Sequence, residues 1–158
     1  MLIKKILIGI DNSKYAENAA KYGFDIAHKF SAKVALVHMV VPMVMPYNNT
    51  ADPLTGAADF TMADTAGIMD VQNDASKALI ENTVKKFGKG LEVINYSEFG
   101  DTADGIIECS KQFGADMIVV GTHSRSGFDR LLMGSIAETV VRQSEIPVLV
   151  VPFVEDEE

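Results

Sequence analysis

The sequence predicts a doubly wound α/β domain, built as a single open sheet of five mainly parallel strands with four helices. Short apolar runs of strand length alternate along the chain with segments whose apolar residues recur every three or four positions. Four of the five strand segments are continuously apolar, as in parallel strands that are buried on both faces. The chain of 158 residues has the length of one domain. We assign residues 1–152 to this domain and residues 153–158 to an acidic tail.

The first three elements are a strand, a helix and a strand. The first strand is predicted at Lys4–Ile10, and the polar residues 11–13 then offer side chains that can cap a helix. The second strand is predicted at Lys33–Val40 and ends before Pro42. Between the two strands, small and apolar residues recur at helical spacing: Ala16, Ala19, Ala20, Gly23, Ala27 and Phe30.

The alternation is then interrupted by residues 42–67, which contain three prolines and two glycines without sustained periodicity. We therefore predict a long loop or lid over this segment. A second helix is expected from about Ile68 to Phe87, because Gly88 and Gly90 follow it as stop signals. The third strand is predicted at Leu91–Phe99.

The rest of the chain continues the pattern. Residues 100–102 precede a third helix with a single apolar stripe, and Met117–Val120 is a buried fourth strand. The fourth helix is expected to open at Gly134-Ser135, where Ser135 can serve as a cap as well as a ligand. Pro147–Val151 is predicted as the final strand.

Composition narrows the class of protein. The net charge is −8 at pH 7, and the four acids at 155–158 supply half of it. An acidic body without a run of lysine or arginine argues against general nucleic-acid binding, which depends on neutralising phosphates. The single Cys109 excludes an intrachain disulfide and indicates a reduced, cytoplasmic protein. Because no apolar run has the length of a signal peptide core or a membrane span, no membrane association is expected.

The segment Gly121–Ser135 joins the fourth strand to the fourth helix and contains three glycines. A strand, a glycine-bearing loop and a helix start in this order suit an anion, because the first amides of a helix lack internal partners. Glycine also lets a phosphate approach the main chain closely. The alternative is that Gly121 and Gly134 only turn the chain and Ser135 only caps the helix.

Three separate parts of the chain end strands of the predicted sheet: residues 9–11, 38–40 and 121–124. In open α/β sheets the ligand site lies outside the carboxyl ends of the strands, where the strand order reverses. These three parts are therefore expected to meet in one crevice.

These features together resemble the universal stress protein family, and the resemblance runs nearly end to end. In its nucleotide-binding branch, Gly, two residues, Gly, nine residues and Gly-Ser or Gly-Thr follow the fourth strand. Here Gly121, Ser124 and Gly134-Ser135 occupy those positions, so a serine stands in place of the second glycine. The other segments that carry the resemblance are Lys4–Asp11 with Ser13, Leu36–His38, Gly114–Gly121 and Pro147–Val151.

The resemblance implies a Rossmann-like, adenine nucleotide α-hydrolase-like fold and a small cytosolic stress-response regulator that binds ATP or AMP. It places Asp11 on the ribose or adenine side and a main-chain group of Met39 at the adenine edge. From spacing alone, Asp11 is equally a helix cap. Mg²⁺ would be held through the phosphates. The residues expected around the nucleotide are Gly9, Ile10, Asp11, Met39, Gly121, His123, Ser124, Arg125, Gly127, Gly134, Ser135 and Ile136.

Three functions remain open at this point. The resemblance implies a nucleotide-binding regulator that forms a homodimer through Val148–Val151, with at most slow ATP hydrolysis. The second is a nucleotide-free homodimeric interaction protein whose site is closed by Ser124. The third function is an adenylating hydrolase-like enzyme. It is the least favoured, because a second substrate domain is lacking. No nucleophile and base stand at a recognisable enzyme spacing, and no metal-ligand spacing is present.

Overall fold

A parallel sheet of five strands organises the chain, which the computed structural model describes over residues 2–43, 62–122 and 133–153. The strand order is β3-β2-β1-β4-β5 and all four pairings are parallel, which confirms the expected fold class. The elements in chain order are β1 (Lys5–Gly9), α1 (Lys14–Phe30), β2 (Lys33–Val40), α2 (Met62–Phe87), β3 (Val93–Phe99), α3 (Thr102–Phe113), β4 (Met117–Gly121), α4 (Ser135–Gln143) and β5 (Val148–Val151).

The order of the strands reverses at β1, which pairs with β2 on one side and β4 on the other. Alternate residues of the strands point to opposite faces. Ile6 and Ile8 belong to a core cluster with residues of α1 and α2, whereas Leu7 belongs to a second cluster with residues of α3 and α4. The chain therefore leaves β1 toward one face and β4 toward the other, and the general rule for such sheets places a ligand crevice between their carboxyl ends.

Helix α1 packs closely on β1 because its buried face is made of small residues. A Cβ built on Gly23 would lie 2.6 Å from Cδ1 of Ile8, so a larger residue would force the Ile8 side chain to move. Further along the same face, the buried ring of Phe24 stacks on Phe87 of α2 with 6.2 Å between ring centroids. The small residues at helical spacing in the sequence are therefore the ones that pack α1 against the sheet.

Helix α2 begins at Met62, six residues before the expected start at Ile68. Residues 62–67 of the segment predicted as a loop are therefore helical, and residues 44–61 lie outside the described part of the chain. The prediction ended the loop at Gly67, although this glycine lies within the helix. It is exposed, with no atom within 4 Å of a built Cβ, and an exposed glycine costs a helix only about 1 kcal/mol.

A polar contact anchors α2 over the sheet. Ser76 is fully buried, and its hydroxyl lies 2.7 Å from Nδ1 of His38 on β2 and 2.7 Å from the hydroxyl of Ser97 on β3. One turn earlier, the side-chain amide of Gln72 donates to the main-chain carbonyl of Val41 at 3.2 Å. These bonds tie α2 to the carboxyl end of β2.

Cys109 is buried on α3 and is a free thiol. The pKa of the Cys109 thiol is raised from 9.0 to about 11, mainly by burial and to a smaller extent by the negative charges of Glu98 and Glu108. Since the thiolate is the reactive form, the native thiol is expected to be inert at ordinary pH. Cys109 therefore packs as a small apolar residue of the core.

We predict that iodoacetamide at pH 8 labels Cys109 in urea but not in the native protein. The folded protein keeps this proton to a higher pH than the unfolded chain, so the thiol's contribution to stability is lost as the pH rises from about 9 to about 11. A Cys109→Ala variant should lose less stability over that interval, as measured by urea denaturation. Equal labelling of native and unfolded protein would contradict the prediction.

None of the helices within the described residues has the length and apolar character needed to cross a membrane.

Candidate functional site

Asp11 is held by a local turn at the carboxyl end of β1. The main-chain amide of Ser13 donates to Oδ1 of Asp11 at 2.7 Å, and the Ser13 hydroxyl accepts from the amide of Ala16 at 3.2 Å. Ser13 is therefore the N-cap of α1, and Asp11 braces the turn before it. The amide of Ile10 donates to the carbonyl of Val37 at 2.9 Å, which keeps this turn beside β2.

Met39 contributes its main chain, rather than its side chain, to this edge. The side chain is buried, and a Cβ built on Gly105 of α3 would overlap it. Along β2, the carbonyl of Val37 accepts from the β1 side and the carbonyl of Val40 accepts from Gly100 on the β3 side. By this alternation the main-chain groups of Met39 point toward β1, past the last residue of β1 that pairs with β2.

Gly121 allows the start of α1 to approach the end of β4. A Cβ built on Gly121 would lie 2.8 Å from the main-chain oxygen of Tyr15 and 2.9 Å from its carbonyl carbon. Gly9 has a related packing role, since its Cβ would lie 3.2 Å from Val120 and 3.3 Å from Ile106. Both glycines thus serve close packing around the crevice.

The loop that follows β4 is closed at its base. The amide of Thr122 donates to the carbonyl of Val151 at 3.2 Å, and the amide of Gly134 donates to the carbonyl of Thr122 at 2.5 Å. The two ends of the Gly121–Ser135 segment are therefore brought together at the carboxyl edge. The remaining expected site residues of this loop lie outside the described residues: His123, Ser124, Arg125 and Gly127.

The start of α4 differs from the starts of α1 and α3. Its N-cap is Gly134, which makes no side-chain cap hydrogen bond, and Ser135 is the first helical residue with an exposed side chain. The expectation that Ser135 caps the helix is wrong, because the non-helical φ and ψ of the cap, −56° and 149°, fall one residue earlier. By contrast, α1 is capped by Ser13 and α3 by Asp101. The first amides of α4 therefore receive no hydrogen bond from a cap side chain.

A cleft of about 560 Å³ lies between the starts of α3 and α4 at the end of β2. Its volume is in the range of pockets that hold small ligands. Ile136, an expected site residue, lines it and also packs on the core below α4. The lining residues are Val41, Pro42, Gly100, Asp101, Thr102, Ala103, Ser135, Ile136 and Thr139.

Most of this lining was not predicted as site residues from the sequence. Residues 100–102 were interpreted only as the start of α3, although they also follow a strand. Gly100 adopts a φ of +145°, which favours glycine, and turns the chain from β3 into α3. The available signal was their position at the carboxyl end of β3. The rule that ligands lie at the carboxyl ends of parallel strands, which had selected Asp11, Met39 and Gly121, applies to them equally.

Within the described ranges, no group of three or more histidine, cysteine, aspartate or glutamate side chains is arranged to hold a metal ion. The site instead offers hydroxyls, an apolar surface and a helix start without a side-chain cap, which can hold an anionic organic ligand by hydrogen bonds and packing.

The reversal of strand order, the crevice beside it and the uncapped start of α4 define a doubly wound α/β protein with a candidate ligand cleft at the carboxyl edge of its sheet. The chain belongs to the universal stress protein family, whose family model matches residues 2–152.

Similar proteins agree with this assignment. The chain is 30% identical to Universal stress protein MJ0531 of Methanocaldococcus jannaschii over 155 residues, which covers 95% of this chain and 82% of that protein. The solved structure of MJ0577, from the same organism, superposes with a TM-score of 0.79 at 24% identity and covers 99% of this chain and 100% of that one.

Two solved structures with this fold contain nucleotides. One is a universal stress protein in complex with cAMP, with a TM-score of 0.59, 22% identity, and coverage of 96% of this chain and 98% of that one. The other is the universal stress protein from Archaeoglobus fulgidus in complex with dAMP, with a TM-score of 0.60, 19% identity, and coverage of 95% and 98%. Adenine nucleotide binding therefore occurs among the structural neighbours of this chain.

Proposed function

We propose that this protein is a stress-response regulator that binds an adenine nucleotide, ATP or AMP, at the carboxyl edge of its sheet. The observation that carries the proposal is the start of α4, which has no side-chain cap and whose first turn lines a cleft of about 560 Å³. The first amides of such a helix and the positive end of the helix dipole attract phosphate groups. The cAMP and dAMP complexes of two structural neighbours support the choice of an adenine nucleotide.

The adenine is proposed to lie against the end of β2. There the main-chain groups of Met39 offer a donor and an acceptor, and the exposed side chains of Val41 and Pro42 offer apolar surface. Asp11, fixed by the amide of Ser13, is the proposed partner of the ribose or the adenine. The crevice between β1 and β4 would then place the nucleotide across the reversal of strand order, with Gly9 and Ile10 at its floor.

The phosphates are proposed to lie between the ends of the loop that follows β4. Gly121, Gly134 and Ser135 are brought together there by the hydrogen bond between Gly134 and Thr122. The loop residues His123, Ser124, Arg125 and Gly127 are proposed to complete the phosphate site, with Mg²⁺ held through the phosphates. We propose binding with at most slow hydrolysis, since regulation requires only that the nucleotide change the protein's surface.

Two further features belong to the proposal. The protein acts in the cytoplasm, and it forms a homodimer through β5. Within the described residues β5 is an edge strand made only of valine and leucine, and three of its four side chains are half-buried. An apolar edge strand of this kind invites pairing with a second copy.

Titration calorimetry with ATP and with AMP tests nucleotide binding directly. We expect saturable heat for at least one of them and a rise in the melting temperature at saturating nucleotide. Mass spectrometry of nucleotide carried through purification is an independent readout. No heat and no thermal shift at millimolar concentrations of both nucleotides would contradict the proposal.

The second candidate is a nucleotide-free homodimeric interaction protein, and one sequence feature favours it. Ser124 stands where the nucleotide-binding branch of the family has glycine, and a serine Cβ can crowd a phosphate that touches the main chain.

We predict that Ser124→Gly tightens ATP binding by a few fold, as measured by calorimetry, because it removes the Cβ from the proposed phosphate loop. A wild-type protein that binds no nucleotide and a Ser124→Gly variant that does would support the nucleotide-free candidate. Weaker binding by the variant would instead indicate that the serine hydroxyl donates to a phosphate oxygen.

A further inference from the structure

We infer that Asp101 determines how a nucleotide is oriented and selected in the cleft. Its carboxylate accepts a hydrogen bond from a donor group on the nucleoside end of the ligand and keeps the phosphates at α4. This inference rests on the proposed function and names a residue that recognises the uncharged part of the ligand.

The two helix starts that line the cleft differ in charge at their N-caps. At α3, Oδ1 of Asp101 accepts from the amide of Asp104 at 3.0 Å, so a carboxylate already occupies that helix start. At α4, Gly134 makes no side-chain cap bond. Because both starts line the same cleft, an anionic group is repelled from the α3 end and attracted to the α4 end.

Asp101 has hydrogen-bonding capacity left for a ligand. Its side chain is exposed and lines the cleft, and among the described residues its Oδ2 accepts no hydrogen bond. An ionised carboxylate oxygen accepts from hydroxyl or amine donors but offers no donor to a phosphate. Its position therefore favours a donor group and disfavours a second phosphate.

The cleft also has apolar residues in its lining. They are Val41, Pro42, Ala103 and Ile136, and they suit an uncharged ring. A ligand that combines an anionic group, an aromatic or sugar body and a hydrogen-bond donor therefore matches this lining. A nucleotide has these three parts.

The donor on a nucleotide can be the exocyclic amine of adenine or a hydroxyl of the ribose. Both groups donate a hydrogen bond to a carboxylate oxygen. Inosine triphosphate lacks the amine, and 2′,3′-dideoxy-ATP lacks both hydroxyls, so the two analogues separate the two sources. Inorganic tripolyphosphate lacks the nucleoside altogether and reports on the α4 end alone.

The test measures dissociation constants for ATP, both analogues and tripolyphosphate by calorimetry. It uses the wild type, Asp101→Asn and Asp104→Asn. Asparagine caps a helix about as well as aspartate, so Asp101→Asn removes the charge and retains the cap. Asp104 lies in the same turn, is exposed and does not line the cleft, so Asp104→Asn removes an equal charge as a matched control.

We expect Asp101→Asn to weaken ATP binding about tenfold, the scale of one hydrogen bond to a charged group. Tripolyphosphate should bind this variant at least as tightly as the wild type, and Asp104→Asn should resemble the wild type throughout. One analogue should bind the wild type about tenfold more weakly than ATP does. The binding of that analogue should not become weaker still in Asp101→Asn.

Several outcomes would overturn the inference. Unchanged or tighter binding of ATP by Asp101→Asn would place the carboxylate away from the nucleoside or beside the phosphates. Two analogues that bind the wild type as tightly as ATP would show that no nucleoside donor is recognised. A wild type that binds neither ATP nor AMP would instead refute the proposed function, and this inference with it.

Discussion

Replacing Ser135 with proline is expected to weaken ATP binding by at least about tenfold while leaving the fold intact. Proline removes one of the uncapped amides of α4, which we propose to donate to a phosphate, and a hydrogen bond to a charged group contributes about 1.5–3 kcal/mol. Proline is well tolerated as the first residue of a helix. Gly134, with a ψ of 149°, already has the extended conformation required before proline.

Calorimetry measures the affinity, and thermal melting checks the fold. The matched control is Ser135→Ala, which removes the hydroxyl but retains the amide, so it should lose less affinity than the proline variant. The carbonyl of residue 135, which accepts from the hydroxyl of Thr139 at 2.8 Å, is present in both variants. A proline variant that binds ATP like the wild type would show that this amide does not hold a phosphate.

Replacing Gly121 with alanine is expected to destabilise the protein by about 1–3 kcal/mol, the usual cost of overpacking. The new Cβ would lie 2.8 Å from the main-chain oxygen of Tyr15. The obstacle is backbone, which cannot rotate away as a side chain can. Either the start of α1 or the end of β4 must move, and both border the proposed nucleotide site.

Urea denaturation of Gly121→Ala measures this loss as a fall in the transition midpoint. Gly67→Ala is the matched control, because Gly67 is an exposed residue of α2 with no atom within 4 Å of a built Cβ. That variant is expected to gain up to about 1 kcal/mol, since alanine favours a helix over glycine. Equal stability of Gly121→Ala and the wild type would contradict the close approach of α1 and β4.

The strands and helix faces were predictable because burial leaves a direct mark on the sequence. Strand β4 has four fully apolar residues before Gly121 because parallel strands in this sheet are covered on both faces. Helix α1 shows small residues at helical spacing because it packs tightly on β1. The start of α2 was not predictable, because an exposed glycine within a long helix gives the same local signal as a loop.

The candidate site was predicted in part, and the difference has a physical origin. The positions of Asp11, Met39 and Gly121 follow from the rule that parallel strands end at one edge. The rule does not say whether the side chain or the main chain of each residue faces the crevice. The side chain of Met39 is buried against α3, and its main chain points toward β1 only because the register of β2 with its neighbours sets the alternation.

The sequence alone determined the order of the elements, the parallel sheet, the family resemblance and the edge on which a ligand should lie, because each depends on local patterns of burial and capping. Only the tertiary structure decided that the starts of α3 and α4 share one cleft, one capped by the carboxylate of Asp101 and the other, at Gly134, without a side-chain cap. These two residues lie far apart in the chain, and no sequence pattern links their positions. The two helix starts border one cleft because the two crossover helices pack side by side on the same face of the sheet.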